Sequence, residues 1–118
     1  MNRKPELYIN DILEAIKLIE DFTKNYTQEK FFHDKLHQSA VVRQIEIIGE
    51  ATKHLASHFR KKYPNVEWKG IAGMRDVLIH AYFGVNLEKV WYAVKNEIPK
   101  LKKQVQEILK VEKKENKE

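Results

Sequence analysis

Apolar residues recur at spacings of three and four along most of the chain, the signature of amphipathic helices rather than strands. The first stripe is Tyr8, Ile12, Ala15, Ile16, Ile19 and Phe22. It predicts a helix that starts near Pro5, since proline suits the first helical position, and stops around Asn25-Tyr26-Thr27. Between Gln28 and Gln38, Phe31, Phe32 and Leu36 predict a brief helix packed on the others. The second long helix is expected from about Ser39 to Lys62, on the stripe Val41, Ile45, Ile48, Thr52, Leu55 and Phe59. Gly49 lies inside it at a cost in helix propensity, which suggests a close approach by another helix. Tyr63-Pro64-Asn65 ends this helix, because a proline there would remove a hydrogen bond and clash. A third helix is expected from about Glu67 to Tyr82. It leads into the turn Phe83-Gly84-Val85-Asn86, with Gly84 placed for a left-handed cap. Asn86 can cap a fourth helix with the stripe Leu87, Val90, Trp91, Val94, Ile98, Leu101, Val105 and Ile108. Pro99 falls within that stripe, so a kink or a restart is expected near residues 95–98. The expectation is therefore an all-α bundle of four main helices plus a short one. Residues 1–111 form one domain and 112–118 a polar tail that frays.

Composition narrows the chemistry. With 118 residues there is room for one core, and the four Gly and three Pro leave long uninterrupted helices. The absence of cysteine excludes disulfides, thiolate zinc sites, iron–sulfur clusters and thiol nucleophiles. Met1-Asn2-Arg3-Lys4-Pro5-Glu6 runs directly into charged, periodic sequence, so no signal peptide is expected. No apolar stretch approaches the roughly 18 residues of a membrane span. A soluble, cytoplasmic domain without membrane contact is the expectation.

Charge is divided unevenly. Residues 1–59 hold 8 basic and 9 acidic side chains, net −1, and residues 60–118 hold 14 and 8, net +6. Two readings of the basic half stay open: a polyanion partner, or a lysine-rich solvated surface. Only four of the 22 basic residues are arginine (Arg3, Arg43, Arg60, Arg75). Guanidinium binds phosphate or carboxylate bidentately, so Arg43 and Arg75, which interrupt apolar segments, are the first to explain.

Arg75-Asp76-Val77-Leu78-Ile79-His80-Ala81-Tyr82 gathers Arg, Asp, His and Tyr at the expected end of the third helix. On an ideal helix Arg75 and Tyr82 lie about 20° apart, whereas Arg75 and His80 lie about 140° apart and meet only if the helix end distorts or the arginine wraps round. Such a set can cleave a phosphodiester without a metal. His80 could take a 2′-hydroxyl proton or give one to the departing oxygen, and Arg75 could hold the phosphate and its developing charge. Asp76 could orient the imidazole, and Tyr82 could bind a base or phosphate, or present its hydroxyl for modification. A purely structural helix end, with Arg75 paired, His80 capping carbonyls and Tyr82 half buried, fits the same spacing.

The string R-x-x-x-x-H-x-Y filled by Arg75, His80 and Tyr82, then Phe83-Gly84, resembles the HepT toxins of the HEPN superfamily. So do Tyr8 to Ile16, Arg43-Gln44-Ile45-Glu46-Ile47-Ile48-Gly49-Glu50-Ala51, Tyr63-Pro64, Trp68, Ile71 to Met74, Val90-Trp91 and Ile98-Pro99-Lys100-Leu101. The resemblance covers about residues 5–110. It implies an all-helical HEPN-type antiparallel bundle that forms a homodimer, and a ribonuclease toxin that needs no metal or cofactor. In that family Arg and His of both subunits line a cleft at the dimer interface, here Arg75 and His80, with a polar residue, here Asp76, after the Arg. The implied partner is an MntA-like minimal nucleotidyltransferase antitoxin, which transfers AMP from ATP to the motif tyrosine, here Tyr82. A different class of function is a non-catalytic helical module that only binds a nucleotidyltransferase.

Other patterns carry less. His33 with His37, and His54 with His58, have the i,i+4 spacing of a metal pair but no zinc-protease Glu and no thiolate, so they read as polar-face histidines. Glu46 and Glu50 share a face, yet no Glu-x-x-His starts at either, so pairing with Arg43 or a lysine, or capping of a polar spot in the dimer, is expected instead. The pairs Phe31-Phe32 and Trp91-Tyr92 read as core or dimer contacts rather than stacking platforms for bases. Arg60-Lys61-Lys62 and Lys100 to Lys103 could grip RNA phosphates or simply be solvated.

Overall fold

The computed structural model describes residues 3–74 and 86–116, and the described residues hold helices and no strand. Helix α1 spans Pro5–Thr23, with Pro5 in its first turn as expected. Asn25, at φ 60°, then reverses the chain in the left-handed region that asparagine tolerates. Helix α2 is Gln28–Phe32, opened by the Thr27 hydroxyl, which accepts a hydrogen bond from the Lys30 N–H at 3.1 Å.

Helix α3, Lys35–His54, begins four residues before the expected start. Asp34 accounts for this, since its Oδ1 accepts the His37 N–H at 3.0 Å and supplies an N-cap. Leu36 therefore sits on the first turn of α3 and is 77 % exposed, contrary to the expectation that it shares one brief, packed helix with Phe31 and Phe32. A second correction lies at the other end. The long helix expected to reach Lys62 is broken, and Leu55 and Ala56 are extended, at φ −72°, ψ 130° and φ −65°, ψ 149°. Helix α4 follows as Ser57–Lys62. No Gly or Pro marks this break. The Thr52 hydroxyl donates to the Ile48 carbonyl at 2.8 Å, a bond that bends helices, and the extended pair keeps both Leu55 and Phe59 in the core.

Residues 68–74 are helical and are labelled α5. Trp68 anchors that start, with its indole N–H donating to the carbonyls of Tyr63 and Arg60 at 2.9 and 3.1 Å. The side-chain oxygen of Asn86 accepts the Lys89 N–H at 3.3 Å and caps α6, Leu87–Tyr92, as the sequence predicts. Ala93–Glu97 is a π-helical turn running without interruption into α7, Ile98–Glu115. The strain of Pro99 is thus absorbed by a wider turn in the helical rod, not by a break.

Packing makes α1 the centre. Tyr8 stacks on His54 and the residues just after α1 meet the start of α3 through Tyr26 and His37, so α1 and α3 are antiparallel. Glu20 accepts from Lys102 at 2.9 Å and Glu6 lies against Glu112, so α7 is antiparallel to α1 as well. Ile9, Ile12, Ile16 and Ile19 of α1, Val41, Ile45 and Ile48 of α3, and Val90, Ile98, Leu101, Val105 and Ile108 of the last rod are almost fully buried together. Gly49 is buried within α3.

The tail expectation also changes. Helix α7 continues to Glu115, and Glu112 is buried. Its carboxylate accepts from Lys62 Nζ at 2.8 Å and from the Tyr63 hydroxyl, while Glu115 also pairs with Lys62. These bonds fasten the end of α4 to the end of α7.

Candidate functional site

Arg75, Asp76, His80 and Tyr82, with Phe83-Gly84, lie outside the described residues, which give the frame that carries them. Met74, to which Arg75 is joined, and Asn86, where the described chain resumes, line the same cleft of about 830 Å³. Gly70 and Gly73 of α5 stand on one side of it, and Lys89, Tyr92 and Ala93 on the other. Met74 and Asn86, which flank residues 75–85 in the sequence, therefore stand at the walls of one depression. Met74 also lines a second, narrower depression between α5 and the start of α7, with Ile98, Lys100 and Leu101.

The Trp91-Tyr92 pair is split by this geometry. Trp91 turns inward, its ring 5.3 Å from that of Phe31, with the Lys95 ammonium 4.8 Å from its centroid. Tyr92 is 60 % exposed within the cleft, so of the core and dimer contacts expected for this pair it does not make the core one.

A second group of charged side chains occupies an open cleft of about 440 Å³ between α1 and α3. Arg3 donates to Asp11 at 2.8 Å, and its guanidinium lies 4.7 Å from the centroid of Tyr8. Tyr8 stacks on His54 at 5.5 Å, and His54 Nε2 is 3.5 Å from Glu50. Arg43, one of the two arginines singled out above, forms a loose pair with Glu46 at 3.7 Å and leaves 68 % of its side chain in water. Both arginines thus face carboxylates, and the Asp11 hydrogen bond raises the Arg3 guanidinium further above its ordinary value. Linear spacing could not have revealed this group, because Tyr8 and His54 meet only through tertiary packing.

A third cluster joins Tyr26, Asp34 and His37. The Tyr26 hydroxyl donates to Asp34 and lies 3.1 Å from His37 Nδ1, which is 2.8 Å from the same carboxylate. Hydrogen bonds from the Tyr26 hydroxyl and then the His37 N–H hold the Asp34 carboxyl below its usual value, and Tyr26 is pushed up in return. This arrangement pins the turn after α1 to the start of α3. Among the described residues no group of three or more His, Asp or Glu is arranged to hold a metal, and His33 and His58 stand exposed.

The basic clusters are also sorted by the structure. Lys62 is consumed by Glu112 and Glu115, and Lys102 by Glu20, which leaves neither as an open phosphate contact.

Comparison with known proteins bears on the segment that the described residues frame. The family model described as "Ribonuclease HepT-like" matches residues 12–108, a span that encloses Arg75 to Tyr82 and both walls of the cleft. The chain belongs to the HepT-like ribonuclease family. Among its relatives, a Methanocaldococcus jannaschii protein named "Gamma-glutamylcyclotransferase and putative RNase" is 50 % identical over 109 residues, 92 % of this chain. The chain spans about half of that relative, 49 % of its length. A second protein from the same organism, named "Putative RNase", is 50 % identical over 103 residues, covering 87 % of this chain and 85 % of the relative. The Thermococcus cleftensis protein named "Probable ribonuclease HepT" is 46 % identical over 110 residues, covering 93 % and 100 %. No solved structure matches at a significant level. Membership of the HepT-like family agrees with the all-helical architecture. Among the described residues no helix is long and apolar enough to cross a membrane.

Proposed function

We propose that this HepT-like protein is a metal-independent endoribonuclease that acts as the toxin of a toxin–antitoxin pair. The observation that carries the reading is the family match across residues 12–108, because that span of sequence includes Arg75, Asp76, His80 and Tyr82. In a homodimer two copies of each motif residue would face one RNA strand. One His80 removes the proton of a ribose 2′-hydroxyl, whose oxygen attacks the adjacent phosphorus. The bond to the 5′-oxygen breaks, and the second His80 supplies the proton that this oxygen needs. The products are a 2′,3′-cyclic phosphate and a 5′-hydroxyl. Arg75 holds the phosphate and stabilises the charge that builds on it, and Asp76 orients an imidazole.

Tyr82 is the point of control. A nucleotidyltransferase antitoxin of MntA type would bring ATP, the tyrosine oxygen would attack the α-phosphorus, and pyrophosphate would leave. The added adenylate puts bulk and a negative charge where RNA phosphate must bind. The cytoplasm supplies both ATP and RNA. Wild type should cleave RNA in EDTA, and Arg75→Ala and His80→Ala should each abolish cleavage. A folded, unmodified dimer that cleaves no RNA would favour the non-catalytic binding module instead. Intact mass after incubation with the antitoxin and ATP tests the control site, since an adduct that persists in Tyr82→Phe would rule it out.

A further inference from the structure

The outward face of α7 carries Lys100, Lys103, Lys110, Lys113 and Lys114 against one acid, Glu107, and all six side chains are exposed. On an ideal helix Lys103, Lys110 and Lys114 lie within about 40° of one another, with Lys100 and Lys113 on the flanks, opposite the buried stripe. None of the five has an ion pair among the described residues, unlike Lys62 and Lys102 at the edges of the same rod. Like charges three and four apart repel and weaken a helix by a few tenths of a kcal/mol per pair. The outward residues of α1 are mixed instead, with Glu14, Lys17, Glu20 and Asp21 exposed. This rod therefore holds a net positive face, five lysines against the single Glu107, with none of the lysines in an ion pair among the described residues.

Its position points to the occupant. Lys100 lines the same depression as Met74, the residue that precedes Arg75 in the sequence, so one end of the lysine face lies at the depression that Met74 lines. From there the face extends along α7 for about 21 Å to Lys114. We propose that this face is a single-strand RNA track: phosphates lie along Lys103, Lys110 and Lys114, and Lys100 hands the strand to the site at Arg75 and His80. A span of that length suits about four or more nucleotides, the lower end of single-strand site sizes. The proposal rests on the ribonuclease reading and adds to it where the substrate lies beyond the scissile bond.

Charge release gives the test a number. Each phosphate neutralised on a single strand adds about 0.7 to the slope of log affinity against log salt. Removing three lysines should lower the slope's magnitude by about 2 and weaken RNA binding by about tenfold or more at low salt. The experiment compares wild type, a Lys103→Gln/Lys110→Gln/Lys114→Gln variant and a Lys17→Gln/Lys24→Gln/Lys35→Gln control. A labelled unstructured RNA is titrated by fluorescence anisotropy across salt concentrations, and cleavage of that RNA and of a dinucleotide is followed in parallel. The α7 variant is expected to show the shallower slope and a raised KM on the long RNA. It should keep kcat on the long RNA and unchanged kinetics on the dinucleotide, while the control matches wild type. If wild type cleaves RNA but the α7 variant keeps its slope and KM, the track is overturned and the ribonuclease reading stands. If wild type binds RNA through these lysines yet cleaves nothing, the track stands and the ribonuclease reading falls. An α7 variant that keeps full RNA affinity and loses only binding to an acidic antitoxin also overturns the track.

Discussion

Replacing Glu112 by alanine should destabilise the protein, although the residue sits in a stretch whose composition predicts fraying. Its carboxylate accepts from Lys62 Nζ at 2.8 Å and from the Tyr63 hydroxyl, and its side chain is only 8 % exposed. Losing a buried charged acceptor and leaving a tyrosine hydroxyl unpaired typically costs about 1–3 kcal/mol. Lys62 is 40 % exposed and retains Glu115, so its share is screened and small. The expected loss is therefore about 2 kcal/mol, carried mainly by Glu112 and Tyr63. In a chain of this size that lowers the midpoint of thermal unfolding by about 8 °C.

The pH dependence separates this explanation from simple loss of packing. Burial alone would raise the Glu112 carboxyl, but the hydrogen bonds from Lys62 and Tyr63 outweigh it and hold the group below its ordinary value of 4.5. A depressed carboxyl stabilises the fold above its unfolded pKa and loses that contribution as pH falls through the folded one. Urea unfolding at neutral pH should show the full gap between wild type and Glu112→Gln, with Glu107→Gln as the exposed control, and the gap should close in acid. A Glu112→Gln protein as stable as the control at neutral pH, or a gap that widens in acid, would refute the reasoning.

Ile45 is fully buried at the middle of α3, so Ile45→Ala should cost about 2–5 kcal/mol in urea unfolding, and a loss under about 1 kcal/mol would contradict its central place in the core. Asn86→Ala removes the side-chain cap of α6 and should cost about 1 kcal/mol, with Asn86→Gly losing less. Asp34, held low by Tyr26 and the His37 N–H, contributes stability that is present above its ordinary value of 3.8 and lost as pH falls through the lowered one. Asp34→Asn should therefore flatten the acid limb of a stability–pH curve, and an unchanged acid limb would contradict the assignment.

Local signals with a physical mechanism proved readable. Pro5 opens α1, Asn86 caps α6, and the stripe from Val90 to Ile108 is buried along one rod. The Asp34 cap was legible in principle, since a capping residue stands just before the α3 pattern, but the aromatic run ahead of it drew the expected boundary too late. The Leu55-Ala56 break had no such signal. Leu55 and Phe59 fit one continuous stripe equally well, and only the need to bring Lys62 and Tyr63 beside α7 distinguishes two helices from one. Glu112 shows the same limit: its composition reads as solvated tail, whereas its partners Lys62 and Tyr63 lie 50 and 49 residues away in the chain. For the site, the order of balance is reversed. The motif from Arg75 to Tyr82 is legible as residue types at a spacing, and the described structure contributes the cleft that Met74 and Asn86 line. The grouping of Tyr8 with His54, and the separation of free from paired lysines, are products of helix packing that no linear pattern encodes.

The central claim is that Arg75 and His80 cleave RNA without a metal. The most direct measurement is cleavage of a labelled RNA by purified, unmodified protein in excess EDTA, beside Arg75→Ala and His80→Ala proteins shown to be folded by circular dichroism. The account predicts cleavage by wild type that leaves 2′,3′-cyclic phosphate ends, and none by either variant. Wild-type activity that vanishes with EDTA, or that persists in His80→Ala, would contradict it.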